Sequence, residues 1–420
     1  MFRFPLLLCA LLLLAPCTAR AAASSSPAAS AKPGAFGVAA HGNVSIEWWY
    51  VNAHVTTNQG HHYTLIGSFF QFGNGYSPFD PTAAAPRAHY LIYAVTDLDN
   101  KTQRAYSLGD SAMVAYLKQA APFLAVQNPH DRNAQLLLAA LNQGKLPPPH
   151  QQFAGKASII NSPFRLAYGV NTLSADNVNN TAFTLDLGAN SRDKIHLSLR
   201  STKPAMAVGG KGETGLKRAD DMYYFSLTRC AVGGTIDTGH GLEAITDGAG
   251  WFDHQWGNSW VASNNGWDWW GVQLADGTDI LFFRQRDLKT GKIFFPLATF
   301  MDKNGHQTVT RNIRFLPDKS SVWTSPRTGV SYPLAWTIAF PDHNLSLHIT
   351  TTVKNQEMPI LGPGSGIWEG ACDVAAMPLH TPVPGVLSMP ALLGTAYMEL
   401  VGYGSPAVKA QMAKRAAKAK

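Results

Sequence analysis

The residues most able to do chemistry are concentrated in one short segment, 251–270 (WFDHQWGNSWVASNNGWDWW), which holds six of the chain's 11 Trp beside Asp253, His254 and Asp268. Aromatic faces can line an apolar pocket and stabilise a positive charge by about 0.5–2 kcal/mol per contact. A carboxyl group desolvated among such rings has a raised pKa and can act as a general acid near neutral pH. The segment therefore indicates proton-initiated alkene chemistry, in which rings shelter a carbocation that water or an internal group quenches. A Trp-rich strand is more often typical of an ordinary core, where Asp and His hold loops by hydrogen bonds.

Other enzyme classes lack their signatures. The sequence at 257–261 (GNSWV) misses the final glycine of a nucleophile elbow. The glycine-rich stretch 210–215 is followed by Leu216, so it is not a phosphate loop, and no G-x-G-x-x-G follows a predicted strand. There is no C-x-x-C, H-E-x-x-H or Cys/His cluster. We therefore expect no serine-hydrolase site, no nucleotide or nicotinamide cofactor and no metal.

The composition favours a β-rich protein with two domains. The chain has 420 residues, 45% of them hydrophobic and 15% charged, with 37 Gly and 26 Pro spread without a period. The net charge of +7 comes largely from 409–420 (KAQMAKRAAKAK), which carries five basic residues and no acid. The remaining chain is close to neutral, so nucleic acid is not an expected partner.

The N-terminal segment 1–23 is typical of a cleaved signal peptide. Arg3 precedes an apolar run that ends near Ala15, and Ala19-Arg20-Ala21 supplies an A-x-A cleavage site. The run is too short for an ordinary transmembrane segment, and no later run reaches about 18 apolar residues. We expect a periplasmic or secreted protein. Cys230 and Cys372 would then be the only cysteines left, either as a disulfide or as two buried thiols.

Strand patterns divide the chain into two rounds. Residues 46–57 and 63–73 read as a hairpin, 89–98 as a third strand, and 131–142 as a helix with Asp131 at its N-cap and Gly144 at its C-terminal cap. That helix either covers an opening or simply connects strands. The predicted layout is a signal peptide at 1–23, a linker at 24–37, an N-terminal domain at 38–222, a C-terminal domain at 223–404 and a basic tail at 405–420.

Several motifs in one order resemble the AttH/carotenoid 1,2-hydratase (hydroxyneurosporene synthase-like) family. They are EWWY at 47–50, YYFSLTR at 223–229 with GT at 234–235, WFDHQWG at 251–257, GWDW at 266–269 and IWEG at 367–370. The resemblance spans roughly residues 38–404. It implies an all-β fold of two lipocalin-like (calycin-type) antiparallel β-barrel or sandwich domains, with the helix as a small insertion in the first. It also implies an apolar ligand pocket and no cofactor.

What the family does differs between branches, which include carotenoid hydratases, a fungal phytoalexin hydratase and polyene cyclases, while many bacterial members are labelled secreted hydrolases. In the carotenoid hydratases an H-x-W pair and a Y-x-D pair are implicated. His254 and Trp256 match the first pair. The second would fall on Leu281 and Phe283, which match neither Tyr nor Asp, so an acid here must come from Asp253 or Asp268.

The first hypothesis is an enzyme that acts on an apolar, isoprenoid or polyene-like small molecule by hydration or a related non-redox step. Asp253 would be the general acid and His254 its partner or a water-orienting base. The candidate catalytic residues are Asp253, His254, Trp256 and Asp268. The candidate ligand-binding residues are Trp48, Tyr50, Trp251, Trp267, Trp269 and Trp368. The second hypothesis is a lipocalin-like carrier without chemistry, and the third, ester or amide hydrolysis, lacks a visible nucleophile. Glu47 and Glu369 are expected to anchor strand ends, with a role as second acids as the alternative.

Overall fold

The structure is a computed structural model. It describes residues 37–73, 87–118, 132–176, 180–188, 191–216, 218, 221–258, 265–360, 366–379 and 392–404. The predicted signal peptide, the basic tail, nearly all of the linker and the proposed N-cap Asp131 lie outside these residues. Among the described helices, none combines the length and the apolar composition needed to cross a membrane.

The first half of the chain forms one large sheet. Its strands are β1 (Ile46–Thr57), β2 (His62–Phe72), β3 (Ala88–Asp97), β4 (Thr102–Gly109), β5 (Gln151–Gln152), β6 (Ala157–Asn161), β7 (Phe164–Tyr168), β8 (Asn171–Ala175), β9 (Ala182–Leu187), β10 (Lys194–Ser201), β11 (Met206–Ala207), β12 (Met222–Asp237) and β13 (Leu242–Gly257). The strand order is β5-β4-β3-β2-β1-β13-β12-β10-β9-β8-β7-β6, with β11 beside β12. Pairing is antiparallel except between β4 and β5.

The second half forms a second sheet and a separate short hairpin. The strands are β14 (Asn265–Leu274), β15 (Asp279–Asp287), β16 (Ile293–Met301), β17 (Gln307–Thr310), β18 (Arg314–Pro317), β19 (Val322–Thr324), β20 (Ser331–Pro333), β21 (Ala335–Phe340), β22 (Leu345–Thr351), β23 (Glu357–Pro359), β24 (Gly366–Pro378) and β25 (Leu392–Leu400). The order is β17-β16-β15-β14-β25-β24-β22-β21-β18, β23 pairs with β24, and β19 and β20 pair with each other. The expectation of an all-β, lipocalin-like fold built from antiparallel strands is confirmed.

Among the described residues, two helices interrupt the first sheet between β4 and β5. Helix α1 covers residues 111–118 within the described chain, and α2 is Arg132–Asn142. Gly144 ends α2 with φ of 71°, and its N–H donates to the carbonyl of Leu141 at 3.0 Å, as predicted for the C-terminal cap. Apolar side chains of the helical region pack into the cluster between the two sheets. The insertion therefore packs against the space between the sheets. Short 3₁₀ turns occur at Val208–Gly210 and Pro341–His343.

The central strands are buried on both faces, which gives the molecule three apolar clusters. One cluster fills the far side of the first sheet, a second fills the far side of the second sheet, and a third lies between the sheets. Successive side chains of a strand point to opposite faces. In β1, for example, Trp49 packs into the first-sheet cluster while Tyr50 joins the cluster between the sheets.

The sheets do not divide the chain where the predicted domains do. Strands β12 and β13 belong to the first sheet, so the predicted boundary between 222 and 223 falls at the start of β12. The chain passes to the second sheet between Gly257 and Asn265. Cys230 and Cys372 are both buried free thiols. They lie in the clusters on the far sides of the two sheets, which explains why they do not pair.

Candidate active site

A cavity lies between the two sheets. Its volume is about 110 Å³, several times the volume that one water molecule needs. Both sheets contribute to its lining. The lining residues are Ile46, Trp48, Tyr50, Ser68, Phe70, Phe72, Tyr90, Ile92, Tyr224, Asp253, Gln255, Trp267, Trp269, Phe283, Ile360, Ile367, Glu369, Glu399 and Val401. The wall is therefore mainly aromatic and aliphatic, with a few polar groups. This is the usual composition of a small-molecule site.

Strand alternation decides which residues reach the cavity. In β13, Asp253 and Gln255 face it, whereas the His254 ring between them stacks on Trp49 on the far side of the first sheet. In β14, Trp267 and Trp269 face it, whereas Trp270 packs into the second-sheet cluster. Two of the adjacent residues that the sequence analysis grouped, Asp253 and His254, are therefore on opposite faces of one sheet.

Asp253 is the polar centre of the first-sheet wall. Its Oδ2 accepts a hydrogen bond from the Tyr224 hydroxyl at 2.7 Å. Its Oδ1 accepts from the indole N–H of Trp251 at 2.6 Å and from the Ser226 hydroxyl. Trp269 Nε1 donates to the Tyr224 oxygen at 3.0 Å, so the Tyr224 proton is directed at Asp253. Trp251 is therefore a neighbour that orients the carboxyl group, rather than one of the lining residues.

Burial governs the protonation of Asp253. Its side chain is 3% exposed, and burial raises its pKa to about 7 despite the three hydrogen bonds, which act to lower it. An indole N–H can only donate, whereas the Ser226 hydroxyl can also accept. When Asp253 is protonated, Ser226 can turn to accept the proton, or the proton can be given to a molecule in the cavity. The group is thus able to exchange a proton near neutral pH.

Two further carboxyl groups line the cavity from the second sheet. Glu369 of β24 and Glu399 of β25 are directly opposite in the strand pairing. Burial and then the neighbouring Glu399 raise the pKa of Glu369 well above its usual value. Burial also raises the pKa of Glu399 to about 7, with a smaller contribution from Asp253. The expectation that Glu369 anchors a strand end is replaced by a position in the cavity wall.

Two buried polar atoms of the lining lack a hydrogen-bond partner among the described residues. They are Nε2 of Gln255 and Oε1 of Glu369, on side chains of residues that are 1% exposed. Buried polar groups are almost always paired, and an unpaired one costs about 1–3 kcal/mol. Since both residues line the cavity, a ligand or water that offers an acceptor to Gln255 and a donor to Glu369 would satisfy them.

The packing of Trp269 in the aromatic wall depends on a glycine in the same strand. Trp269 lies edge-on to Trp251 with ring centroids 6.0 Å apart, and edge-on to Tyr50 at 5.8 Å. A Cβ at Gly271 would meet the Trp269 ring at 2.7 Å, so only glycine allows this packing. The described lining contains no Lys, Arg or His. Rings and carboxyl groups without a basic side chain favour a positive charge in the cavity.

His254 and Trp256 do not reach the cavity, because their even-numbered positions in β13 face the far side of the first sheet. His254 is fully buried there, with Nε2 2.9 Å from Oε1 of Glu47 and Nδ1 3.0 Å from the carbonyl of Gly37. The Trp256 ring stacks on His41 at 4.4 Å. These contacts fix the segment that leads into β1. Since His254 and Asp253 lie on opposite faces of the sheet, the two side chains cannot touch.

Within the described chain, His41, Glu47 and His254 form one group whose ligand atoms lie within 4.8 Å of one another. The histidine nitrogens are already hydrogen bonded to the same oxygen of Glu47, at 2.7 Å and 2.9 Å. The hydrogen bonds account for this geometry, and Glu47 anchors the start of β1 as expected.

Asp268 and Trp368 also point away from the cavity. Asp268 is buried in an ion-pair cluster, in which Arg284 Nε lies 2.6 Å and Arg286 Nη2 2.7 Å from its carboxyl oxygens, and Tyr403 donates to it at 2.9 Å. Burial would raise the pKa of Asp268, but the guanidinium groups outweigh it and hold the pKa below its usual value. Trp368 packs into the second-sheet cluster and donates to the carbonyl of Lys354 at 2.8 Å.

Of the other candidates, Trp48, Tyr50, Trp267 and Trp269 line the cavity. Phe283 also lines it, and Leu281 belongs to the cluster between the sheets, so the positions that lack Tyr and Asp do face the site. Sequence reasoning missed Tyr224, Ser226 and Gln255. Their alternation with apolar residues in β12 and β13 is the signal that could have identified them.

A family model described as AttH-like matches residues 148–403. A curated relative, Dehydratase asqC of Emericella nidulans, is 28% identical over 166 residues, which are 38% of this chain and 46% of that protein. The chain thus matches about half the length of this relative. Two solved structures share the fold. A protein of Nitrosomonas europaea assigned as AttH has a TM-score of 0.63 and 20% identity, over 90% of this chain and 100% of that one. Kievitone hydratase of Nectria haematococca has a TM-score of 0.59 and 16% identity, over 84% and 88%.

Proposed function

We propose, from the premise that this chain belongs to the AttH-like family, that it adds water to or removes water from an apolar, isoprenoid or polyene-like small molecule. The observation that carries the proposal is Asp253, a buried carboxyl group in an aromatic cavity whose pKa burial raises to about 7. A general acid is most effective when its pKa lies near the working pH. The name of the dehydratase relative supports the same reaction class.

The chemistry needs only a proton and a water molecule. Asp253 gives its proton to one carbon of a double bond, so that a C–H bond forms from the π electrons and the adjacent carbon becomes cationic. The rings of Trp48, Trp267 and Trp269 face that charge. A water oxygen then bonds to the cationic carbon, and a carboxylate of the cavity takes the proton that the water loses. Dehydration follows the same steps in reverse.

The runner-up function is a carrier of an apolar ligand that carries out no reaction. Leu281 and Phe283 favour it, because they occupy positions where the resemblance to carotenoid hydratases implies Tyr and Asp. Ester or amide hydrolysis has little support, since no Ser, Cys or Thr in the described lining has a His beside it as an activating base.

One experiment separates these functions. The purified protein is incubated with a lipophilic extract of its source cells in ¹⁸O-labelled water, and products are followed by untargeted mass spectrometry. The variant is Asp253→Asn, and the control is Asp247→Asn, which removes an exposed carboxylate from the same strand. A product with the heavy oxygen that is lost only in Asp253→Asn supports water addition. A new isomer of unchanged mass points to a cyclase or isomerase. If the protein retains compounds but never converts them, the result supports the carrier function.

Export is a separate part of the proposal. The segment 1–23 combines a basic start, an apolar run and small residues at a cleavage site, as signal peptides do. We therefore place the working protein in the periplasm or outside the cell.

A further inference from the structure

The second-sheet wall of the cavity carries two carboxyl groups side by side. Glu369 and Glu399 are directly opposite in the antiparallel pairing of β24 and β25, and both line the cavity. Side chains in this relation have Cβ atoms about 4.5–5.5 Å apart. Two carboxylates so close in a desolvated site cannot both ionise readily, and such pairs commonly hold one proton between them.

The groups that surround the pair supply no positive charge. Tyr50 faces it from β1, Asp253 from β13, and Tyr397 lies on β25 itself. These side chains are neutral or acidic, and no basic residue belongs to the described lining. Since no described basic side chain neutralises the two carboxyl groups, a bound proton is the positive charge that can do so.

A second observation shows that the pair is aimed at a ligand. Asn52 donates to the Tyr50 oxygen at 3.2 Å, and the Tyr50 hydroxyl acts to lower the pKa of Glu369, against the larger effect of burial. Oε1 of Glu369 has no hydrogen-bond partner among the described residues, although the residue is only 1% exposed. An acceptor of this kind in a cavity wall fits the O–H group of a water molecule or an alcohol.

Asp253 lacks this opening. Its two oxygens already accept from Tyr224, Ser226 and Trp251, which leaves little capacity for a bound water. The two acidic units thus differ in what they can bind. Asp253 is enclosed by donors, while Glu369 has a free acceptor.

We propose that Glu369 and Glu399 share one proton and exchange it with the oxygen of the substrate, while Asp253 exchanges a proton with carbon. This assignment rests on the proposed function and divides its chemistry between the two sheets. In dehydration, the shared proton bonds to the hydroxyl oxygen, the C–O bond breaks, and water leaves with the electron pair. The Asp253 carboxylate then removes a proton from the adjacent carbon, and the C–H electrons form the double bond. In hydration, the pair takes the proton that the attacking water loses.

The proton sharing is tested without a substrate. The full-length protein is labelled with ¹³C at the glutamate side-chain carboxyl carbon, and its NMR signals are followed against pH. A coupled pair titrates in two separated steps. Glu369→Gln and Glu399→Gln should each merge the two steps into a single one at an intermediate pH, while the exposed control Glu213→Gln should leave them in place. If the wild-type signals titrate independently, the proposal is overturned whatever the variants do.

The assignment to oxygen is tested with the extract and labelled water described above. Either Gln variant should retain the extracted compound but lose at least about 100-fold in turnover. When the alcohol itself is supplied, Asp253→Asn should still exchange its hydroxyl oxygen with ¹⁸O water, because C–O cleavage and recapture need only the pair. The same variant should no longer convert the alcohol to the alkene or the alkene to the alcohol. Unchanged turnover in both Gln variants would refute the catalytic role. A wild-type protein that converts nothing would refute the proposed function, and the titration would still decide whether the proton is shared.

Discussion

Replacing Asp253 by Asn should change how the stability of the protein depends on pH. Burial raises the pKa of Asp253 from 3.8 to about 7 in the folded state. A raised folded-state pKa means that the protonated form stabilises the fold at low pH, and that this stability is lost as pH rises through the folded pKa. The shift of about 3 units corresponds to about 4 kcal/mol in total. The asparagine side chain does not titrate, so the variant lacks this dependence.

The assay is urea unfolding of the wild type and of Asp253→Asn at several pH values. The free energy of unfolding of the wild type minus that of the variant should fall by about 3 kcal/mol between about pH 5 and about pH 8.5. Most of the pH range between the unfolded and the folded pKa of Asp253 lies within these limits. The absolute offset between the two proteins is not informative, because Asn also alters the hydrogen bonds from Tyr224 and Trp251. Only the slope isolates the titration.

Asp247→Asn is the matched control, because it removes an exposed carboxylate from the same strand. Two parallel curves for the wild type and Asp253→Asn would mean that Asp253 is ionised in the fold throughout this range. In that case the argument from burial fails, and Asp253 could not act as a general acid near neutral pH.

Four further outcomes are expected. Arg286→Met should lower the free energy of unfolding by about 3–5 kcal/mol, because it leaves Asp268 buried with one of its cations lost; urea denaturation measures this, and a loss below about 1 kcal/mol would contradict it. His254→Gln should lower stability but leave turnover per folded molecule within a few-fold, as the side chain faces away from the cavity; a selective loss of kcat would show that it takes part. Gln255→Leu should weaken retention of oxygen-bearing ligands by roughly 10-fold, which is about the contribution of one hydrogen bond. Mass spectrometry of bound compounds measures this, and equal retention would show that no ligand oxygen binds to Gln255. Protein recovered from the culture medium or periplasm should begin at residue 22 or 24, as read by intact mass, whereas an unprocessed chain in the cytoplasm would refute export.

The sequence alone determined the local elements. Alternating hydrophobic residues and turn signals predicted the hairpin of β1 and β2 and most of the later strands, because these depend on neighbours in the chain. Gly144 at the end of α2 followed from the same local reasoning, since a positive φ favours glycine. The Trp-rich segment also indicated the right region, and Asp253 within it is the group that burial makes titratable near neutral pH.

The sequence also contained more than was used. A strand period of two separates Asp253 from His254, and it puts Trp267 and Trp269 on the face opposite Asp268. Once β13 and β14 were assigned as strands, their residues could have been sorted into two faces. The choice of which face borders a cavity could not be made in this way, because both faces of these strands are buried.

Only the tertiary structure decided the rest. Glu369 and Glu399 come together because β24 pairs with β25, and they meet Asp253 because the two sheets pack face to face. Asp253 and Glu399, which come together between the sheets, are more than a hundred positions apart in the chain, and no local pattern encodes their approach. The same is true of protonation. A carboxyl group in a sequence has its ordinary pKa, and only the packing around it decides whether arginines keep it ionised, as at Asp268, or burial keeps a proton within reach, as at Asp253.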